Sequence, residues 1–472
     1  MHSETKPNAK PAKLKASRTS LKERGPRAPR RTKSKQLLAR LAGVESPDVT
    51  FVSERFPIVM KRGNGMIVHD VDDNRYFDFT ACFGVLALGH RSKVTLGAIR
   101  KQSAKLIHGM GDVHPSEAKI QLLETLAKIT PYDAPKTILS LSGGEAVESA
   151  LKTALLITKR ERFLSFAGGY HGLHMGPLAL SDRELFKRGF ETYLGTRNTS
   201  IAFPGSESHL CCEDVVPEKE FFETVHALVH WDESLTQLED ALKTKTYAAL
   251  VMEPLQGRGG ERTYPAGFVQ LCANLARKYG TLLIFDEIYS GFGRTGKMFA
   301  LEHEDVVPDL LCLGKALGGG LPLSACVGDV MDVWGKSGGE SRHTSTFLGH
   351  PLACAVGHAT LTALKRDLKE FQKNLVGIEK LTQKFVIQCQ AAGVGAHTPF
   401  RVRGRGFMFG FWFYKSEPGY AALLAEKLLE LGFVVLPSGP RGDVLSFTPP
   451  LIATSEHFAK LYKALFSLLV PA

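Results

Sequence analysis

The sequence predicts an α/β fold: a mostly parallel sheet covered by helices, followed by a smaller α+β domain at the C-terminus. Between residues 136 and 315, short apolar runs such as YAALVME and TLLIFDE alternate with amphipathic segments such as AGFVQLCANLARKYG. Continuous apolar strands separated by helices are typical of parallel sheets that are buried on both faces. After residue 393, the strand-like FRVRGRGFMFGFWFY, the helical YAALLAEKLLELG and the strand-like DVLSFT indicate an α+β arrangement.

We divide the chain of 472 residues into four parts. Residues 1–48 form a basic tail that we expect to be disordered. Residues 49–95 form an N-terminal segment, with a hairpin at MIVHDVDDNRYFDFT, that packs with the small domain. Residues 96–350 form the large domain and residues 351–472 the small C-terminal domain. A chain of this length is sufficient for two or three domains.

The net charge of +11 is concentrated in the tail. Residues 1–50 hold 13 Lys and Arg against 4 Asp and Glu, whereas the remainder holds 46 against 44. The balanced remainder gives no reason to expect a nucleic-acid-binding domain, and a nucleic-acid contact by the tail is not the favoured interpretation. A solvated tail, an organellar targeting peptide and a polyanion contact remain the three interpretations of the tail.

The eight cysteines form no CxxC pair, and most lie in apolar runs. Buried, reduced thiols of this kind are typical of a cytoplasmic protein, and they offer no spacing for a metal site. No apolar run reaches the roughly 18–20 residues that are needed to span a bilayer. We therefore expect a cytoplasmic protein without a membrane segment or a metal, with organellar targeting by the tail left open.

Two glycines follow one predicted strand and begin a helix, in LSGGEAVESALK. Gly143 and Gly144 allow an anion to approach the backbone closely, and the N–H groups of a first helical turn point toward such an anion. A glycine turn that only starts a helix is the alternative.

Asp286 ends the very apolar strand LLIFD. A buried carboxylate at this position requires a cationic partner, or it caps the next helix.

Lys315 follows the apolar run DLLCLG. A P-loop is excluded, since that motif requires Gly five residues before the Gly-Lys pair and Ser or Thr after it, where this chain has Asp309 and Ala316. Burial among apolar neighbours lowers the pKa of a lysine amine, as Schiff-base chemistry requires. A phosphate-binding helix start at Gly143 and Gly144, a carboxylate at the end of a strand (Asp286) and a reactive amine (Lys315) together match the requirements of pyridoxal phosphate.

From about residue 50 onward the chain resembles the class III pyridoxal-phosphate aminotransferases of fold type I, which include ornithine, 4-aminobutyrate and ω-amino acid aminotransferases. The resemblance rests on the ordered motifs SGGEAVESALK, YHG, EPLQGRGG, FDEIYSGFGRTGK, PDLLCLGKALGGGLPLSA and STFLGHPLACA. It implies a large domain built on a seven-stranded sheet and pyridoxal 5'-phosphate as the cofactor.

The resemblance also implies roles for individual residues. Lys315 matches the lysine that carries the cofactor and moves the proton, and Asp286 the carboxylate that keeps the pyridine nitrogen protonated. Gly143 and Gly144 match the phosphate-binding amides.

Three further positions match residues around the cofactor. Tyr170 corresponds to the aromatic residue stacked on one face of the ring, and Ile288 to the aliphatic residue on the other face. Thr346 corresponds to the threonine that reaches the phosphate of the partner subunit's cofactor. The resemblance therefore implies a homodimer whose active sites are shared across the interface.

The departures from the family pattern concern the substrate. Tyr289 stands where many members have a Gln that contacts the phenolic oxygen of the cofactor, and Phe83 is a further substrate candidate. Ser446 stands where relatives that act on α-amino acids carry a carboxylate-binding Arg, and Arg258 replaces a Glu that can pair with that Arg. These departures leave three hypotheses. Arg258 has taken over recognition of the substrate carboxylate, or the amino donor is an amine or ω-amino acid that is bound differently. In the third, Arg258 pairs with a surface acid and has no role in substrate binding.

The sequence thus predicts a transaminase that moves an amino group from an amine or ω-amino acid to a keto acid by a ping-pong mechanism. An aminomutase of the glutamate-1-semialdehyde type and a decarboxylating relative are alternatives within the fold. A non-catalytic binding protein is the alternative of a different class, and the presence of both Lys315 and Asp286 argues against it.

Overall fold

The computed structural model describes residues 31–50, 56–205, 210–211, 232–335 and 341–470. The N-terminal part contains helix α1 (Thr32–Ala42), strands β1 (Met60–Asn64), β2 (Ile67–Asp70) and β3 (Arg75–Asp78), and helices α2 (Ala81–Gly84), α3 (Lys93–Ser103) and α4 (Glu117–Ile129). The predicted hairpin is confirmed, with β2 antiparallel to β3.

The central part alternates strands and helices, in the order β4 (Lys136–Ser140), α5 (Gly143–Thr158), β5 (Arg162–Phe166), α6 (Met175–Leu180), α7 (Glu184–Lys187), α8 (Glu191–Leu194), β6 (Asn198–Ile201), β7 (Leu210–Cys211), α9 (Asp232–Lys243), β8 (Tyr247–Met252), β9 (Leu255–Gln256), β10 (Arg262–Thr263), α10 (Phe268–Lys278), β11 (Leu282–Asp286), β12 (Leu310–Leu313) and β13 (Ser324–Gly328). Three 3₁₀ turns cover Ala300–His303, Lys315–Gly318 and Asp329–Trp334.

The C-terminal part begins with the 41-residue helix α11 (Pro351–Ala391) and continues with α12 (Val394–His397), β14 (Arg401–Arg405), β15 (Met408–Trp412), α13 (Tyr420–Glu430), β16 (Phe433–Val434), β17 (Leu436–Ser438), β18 (Val444–Phe447) and α14 (Ser455–Leu469). Aromatic side chains fill its core, with Phe385 stacked on Tyr462 at a centroid distance of 4.5 Å. No helix in the described ranges combines the length and the apolar character needed to cross a membrane.

The predicted seven-stranded, mostly parallel sheet is confirmed. Its strand order is β4-β13-β12-β11-β8-β5-β6, and β13 alone runs antiparallel to both of its neighbours. Strands β5, β8, β11 and β12 are parallel, so their carboxyl ends meet at one edge. Because ligands bind at this edge in open α/β sheets, the residues that follow these strands form the candidate site.

One local expectation was wrong. The tail is not disordered throughout, since α1 forms within residues 1–48 and the Ser34 hydroxyl and backbone N–H both donate to Asp72 at 2.8 Å. Residues 1–30 lie outside the described part. The run FVVLPS is two short strands in two sheets: β16 pairs with β3, and β17 pairs with β18. The pairing of β16 with β3 joins the N-terminal segment to the C-terminal part, and the domain boundaries themselves stay predictions.

Candidate active site

A cavity of about 950 Å³ lies at the carboxyl edge of the seven-stranded sheet. Ten of the eleven residues that the sequence singled out line it: Phe83, Gly143, Gly144, Tyr170, Arg258, Asp286, Ile288, Tyr289, Lys315 and Ser446. The eleventh, Thr346, is exposed and is not part of the lining. Segments that are up to 363 residues apart in the chain, from Phe83 to Ser446, are therefore brought to one place.

Lys315 begins the 3₁₀ turn that follows β12. Its φ of 42° is in the left-handed region, which is unusual for a residue with a side chain. Nζ lies 4.0 Å from the ring centroid of Tyr289, and no residue in the described part accepts a hydrogen bond from it. Burial lowers the pKa of Lys315 to about 8, which increases the fraction of neutral, nucleophilic amine.

Asp286 is the last residue of β11 and is buried. Its Oδ1 accepts a hydrogen bond from the Ile288 N–H at 3.1 Å, and its Oδ2 accepts one from His171 Nδ1 at 2.9 Å. Burial alone would lower the pKa of His171, but the hydrogen bond and the charge of Asp286 raise it above its usual value. The Asp286 carboxylate therefore has the positively polarised imidazole of His171 as a hydrogen-bond partner.

The two glycines at the start of α5 leave no room for side chains. A Cβ on Gly144 would lie 2.3 Å from His174 Nδ1, and one on Gly143 would lie 3.0 Å from Ile288 Cδ1. Ser142 caps the helix by accepting a hydrogen bond from the Glu145 N–H. The N–H groups of Gly143 and Gly144 belong to the first turn of the helix and have no carbonyl acceptor within it. They are therefore suited to bind an anion.

Tyr289 lies in a slot formed by glycines. A Cβ would approach its ring to 2.7 Å at Gly84 and to 2.5 Å at Gly257. The hydroxyl hydrogen-bonds with Thr448 Oγ1 at 3.0 Å, and burial raises the pKa of Tyr289 to about 12. Its phenol is therefore neutral and already has a protein partner.

Arg258 lies over two aromatic rings, with its guanidinium carbon 5.0 Å from the centroid of Tyr170 and 5.6 Å from that of Phe186. A second arginine of the lining, Arg183, donates to the Gly439 carbonyl at 2.9 Å. Burial and the charge of Arg258 lower the pKa of Arg183. Neither guanidinium makes an ion pair with any described residue, so the pairing of Arg258 with a surface acid is not observed in that part of the chain.

The hydrogen-bond partner of the Ser446 side chain is an acid of the same loop as Arg258, not Arg258 itself. The Ser446 hydroxyl donates to Oε1 of Glu261, a buried residue three positions beyond Arg258. An acid thus lies beside the position at which relatives have a carboxylate-binding Arg. Glu261 itself was missed, because no spacing in QGRGGER distinguishes it from an exposed loop residue.

Sequence reasoning also missed His171 and Arg183. His171 follows Tyr170 in the YHG motif, and its position beside a strand-end acid becomes evident only once β5 and β11 are known to lie in one sheet. Arg183 lies in SDREL, an ordinary surface-like sequence. A titratable residue in or directly beside a recognised motif was the only available signal, and it applied to His171 in YHG and to Glu261 after EPLQGRGG, but not to Arg183.

Pyridoxal phosphate fits this set of residues. The cavity combines an anion-binding helix start that requires glycine, a buried carboxylate backed by an imidazole, and a lysine amine with a lowered pKa. These three features correspond to the phosphate, the pyridine nitrogen and the aldehyde of the cofactor.

Comparisons with known proteins agree with the geometry. Residues 50–469 match the family described as aminotransferase class III. The acetylornithine aminotransferase of Methanopyrus kandleri is 33% identical over 86% of this chain and 92% of its own length. The putrescine aminotransferase of Pectobacterium atrosepticum is 32% identical over 84% of this chain and 78% of its own.

A solved structure supports the cofactor. The ornithine aminotransferase of Toxoplasma gondii, whose active site is described as partially occupied by pyridoxal phosphate, superimposes with a TM-score of 0.75 at 27% identity, covering 92% of this chain and 94% of its own. The predicted fold type I architecture is thereby confirmed. The family match, the relatives and the cavity together show that this chain belongs to the class III aminotransferases, whose cofactor is pyridoxal phosphate.

Proposed function

We propose that this aminotransferase moves an amino group from an amine or ω-amino acid donor to a keto acid by a ping-pong mechanism. The observation that carries the proposal is the position of Lys315 and Asp286 in one cavity, with the amine held at a pKa of about 8. An amine that is neutral for part of the time at neutral pH can both attack a carbonyl and accept a proton.

When it is bound, pyridoxal phosphate supplies an aldehyde that exchanges with the substrate amine and a ring that accepts the electron pair of a breaking C–H bond. Lys315 would accept the proton from the substrate carbon that bears the amine nitrogen and would deliver it to the carbon on the other side of that nitrogen. Asp286, backed by His171, stabilises positive charge at the pyridine nitrogen, and Gly143 and Gly144 hold the phosphate through their N–H groups.

A donor panel tests this function. α-Amino acids, ω-amino acids, diamines and simple amines are mixed singly with the purified holoenzyme, and conversion of the cofactor to its pyridoxamine form is followed by absorbance. Amines and ω-amino acids are expected to convert it, and a keto acid to restore it. A product formed without a second substrate would show a mutase instead, and released carbon dioxide would show a decarboxylase.

We infer that Arg258 and Arg183 bind the carboxylate of the keto acid. Both guanidinium groups belong to the cavity lining and have no acidic partner in the described part, Arg258 lies over the Tyr170 ring, and the positive charge of Arg258 lowers the pKa of Arg183. A substrate carboxylate supplies the missing negative charge, and arginine is suited to bind it through two parallel hydrogen bonds.

Arg258→Ala is expected to raise the KM for keto acids by roughly ten- to hundredfold, because a hydrogen bond to a charged group contributes about 1.5–3 kcal/mol. The first half-reaction with a simple amine should keep its apparent affinity. Both are measured by stopped-flow absorbance of the cofactor, with the exposed Arg441→Ala as the control. Unchanged affinity for keto acids in the Arg258 variant would show that the carboxylate binds elsewhere.

We further propose a homodimer in which Thr346 completes the partner's site. The segment around Thr346 contacts residues 106–113, where His108 and Phe347 lie 5.2 Å apart between ring centroids. Leu106, Ile107, Met110, Val113 and Phe347 are 44–64% exposed there. An apolar surface of this kind on one face typically marks a protein–protein interface.

Thr346→Glu should inactivate the enzyme and weaken cofactor retention, because its carboxylate would repel the phosphate of the partner's cofactor. Co-production with Lys315→Ala should restore activity, since a mixed dimer contains one site with both native residues. Thr362→Glu, on the exposed side of α11, is the control. A monomer in light scattering, or no complementation by a verified mixed dimer, would refute the shared site.

A further inference from the structure

Three side chains that can bind a metal lie together in the N-terminal segment, outside the lining of the substrate cavity. Asp78 Oδ2 lies 2.8 Å from His90 Nε2 and 3.8 Å from Cys82 Sγ, and that sulfur lies 4.0 Å from His90 Nε2. Carboxylate oxygen, imidazole nitrogen and thiolate sulfur are the ligand atoms of protein zinc sites. We refer to these three residues as the Asp78–Cys82–His90 cluster.

The separations within the cluster fit a single tetrahedral ion. Zinc bonds of about 2.0–2.3 Å place two ligand atoms roughly 3.4–3.6 Å apart, and each observed separation lies within about 0.6 Å of that range. Cys82 and His90 are partly exposed, so an ion can reach them from solvent. The cluster therefore offers three ligands to one ion, and water can occupy the fourth position.

The hydrogen bonds around Asp78 direct one of its oxygens toward the other two ligands. Its Oδ1 accepts from the Thr80 N–H at 2.8 Å and from the Thr80 hydroxyl at 2.6 Å, which leaves Oδ2 facing Cys82 and His90. Hydrogen bonds of this kind orient metal ligands. Asp78 is fully buried and pairs with no Lys or Arg of the described residues. Such a carboxylate requires positive charge nearby, which either protonated His90 or a bound cation can supply.

An unfavourable backbone conformation places the thiol in the cluster. Ala81, Cys82 and Phe83 have φ values of 46°, 51° and 62°, in the left-handed region that residues with a side chain rarely adopt. Glycine would adopt this conformation more easily, so the chain carries a cysteine where a cysteine is disfavoured. Consecutive outliers of this kind are concentrated at functional sites. The next residue, Phe83, lines the substrate cavity, so the cluster lies directly beneath one wall of that cavity.

We propose that the Asp78–Cys82–His90 cluster binds one divalent ion of the zinc type. Cys82 binds through its sulfur and releases its proton to solvent. His90 binds through Nε2 as a neutral imidazole with its proton on Nδ1, and Asp78 Oδ2 exchanges its hydrogen bond with His90 for a bond to the ion. A thiol and an imidazole favour Zn²⁺ over Mg²⁺ or Ca²⁺. Cysteine spacing did not indicate this site, because the site uses a single thiol.

Zinc uptake by the holoenzyme tests the proposal. Protein produced without a polyhistidine tag is freed of unbound cofactor, treated with a chelator, equilibrated with Zn²⁺ and dialysed, and the bound metal is counted by mass spectrometry. We expect one Zn²⁺ per chain at this cluster. X-ray absorption at the zinc edge should show one sulfur ligand at about 2.3 Å beside nitrogen and oxygen ligands at about 2.0–2.2 Å.

Cys82→Gly is the sharpest variant, because it removes the thiol and glycine suits a φ of 51°. Its zinc-free form should unfold at or above the wild-type temperature. Its apparent dissociation constant for Zn²⁺ should rise by roughly a hundredfold or more, since the loss of a mere hydrogen-bond partner of a ligand costs about 10–100-fold. His90→Gln should weaken Zn²⁺ to a similar degree. Cys354→Ser, a buried thiol of α11, and His397→Gln, an exposed imidazole, are the matched controls and should keep wild-type affinity.

Three results would overturn the site. The first is wild-type protein that takes up no Zn²⁺, and the second is zinc bound without a sulfur ligand. The third is unchanged affinity for Zn²⁺ in both Cys82→Gly and His90→Gln, which would leave only the hydrogen bond between His90 and Asp78 beside a free thiol. None of these results bears on transamination, which the donor panel tests separately.

Discussion

Lys315→Ala is expected to lower kcat by about a thousandfold or more, since general acid–base catalysis alone contributes about 10²–10⁴. The variant loses the amine that holds the cofactor and the base that moves the substrate proton. Its fold should persist, because burial lowers the pKa of Lys315 and so disfavours the charged amine in the native state. Activity is measured as steady-state transamination at saturating cofactor.

The control for this variant is Lys278→Ala. Lys278 is exposed, donates to Glu239 at 2.8 Å and is not part of the cavity lining. It should retain wild-type kcat, and both variants should unfold at temperatures near that of the wild type. A Lys315 variant that is folded, loaded with cofactor and still active would remove this residue from the mechanism.

The second large effect is expected for Asp286→Asn, with kcat/KM lowered by roughly a hundred- to a thousandfold, as for the loss of one preorganised electrostatic contact. The amide can keep a hydrogen bond with His171, but it supplies no negative charge to stabilise a protonated pyridine nitrogen. The proton-transfer step should therefore slow, while cofactor binding persists through Gly143 and Gly144. Single-turnover absorbance separates the two effects.

Asp332→Asn is the control for the loss of a carboxylate, since Asp332 is exposed and pairs with Lys136 at the surface. Its kcat/KM should equal that of the wild type. If Asp286→Asn retains the wild-type rate of proton transfer, another group must protonate the cofactor ring, and the role assigned to Asp286 would be wrong.

Much of the fold could be predicted from local sequence alone. The apolar run YAALVM is fully buried as β8, and Ser116 caps α4 by accepting a hydrogen bond from the Lys119 N–H, as its position before an amphipathic run indicates. Within SKVTLGAIRKQSAKLIHGM, a segment with helix-like apolar periodicity throughout, α3 ends at Ser103. That boundary depends on packing against the rest of the chain, which local periodicity does not contain.

The candidate site was predictable where chemistry constrains residue type and spacing, as for Lys315, Asp286 and the glycine pair. Contacts between distant segments were not predictable. Glu261 and Ser446 are 185 positions apart and meet only because the loop after β9 packs against β18. Likewise, the hydroxyl of Tyr289 binds Thr448, 159 positions away, and so has a structural partner that its motif does not reveal.

The role of Lys315 is tested most directly by identifying the residue that carries the cofactor. The wild-type holoenzyme is reduced with borohydride and digested, and the peptide bearing the cofactor is sequenced by mass spectrometry. If Lys315 carries the cofactor, the visible absorbance band should disappear and a single modified site should be found at Lys315, with no modification in Lys315→Ala. A cofactor that stays dissociable after reduction, or one attached to a different lysine, would contradict this role of Lys315.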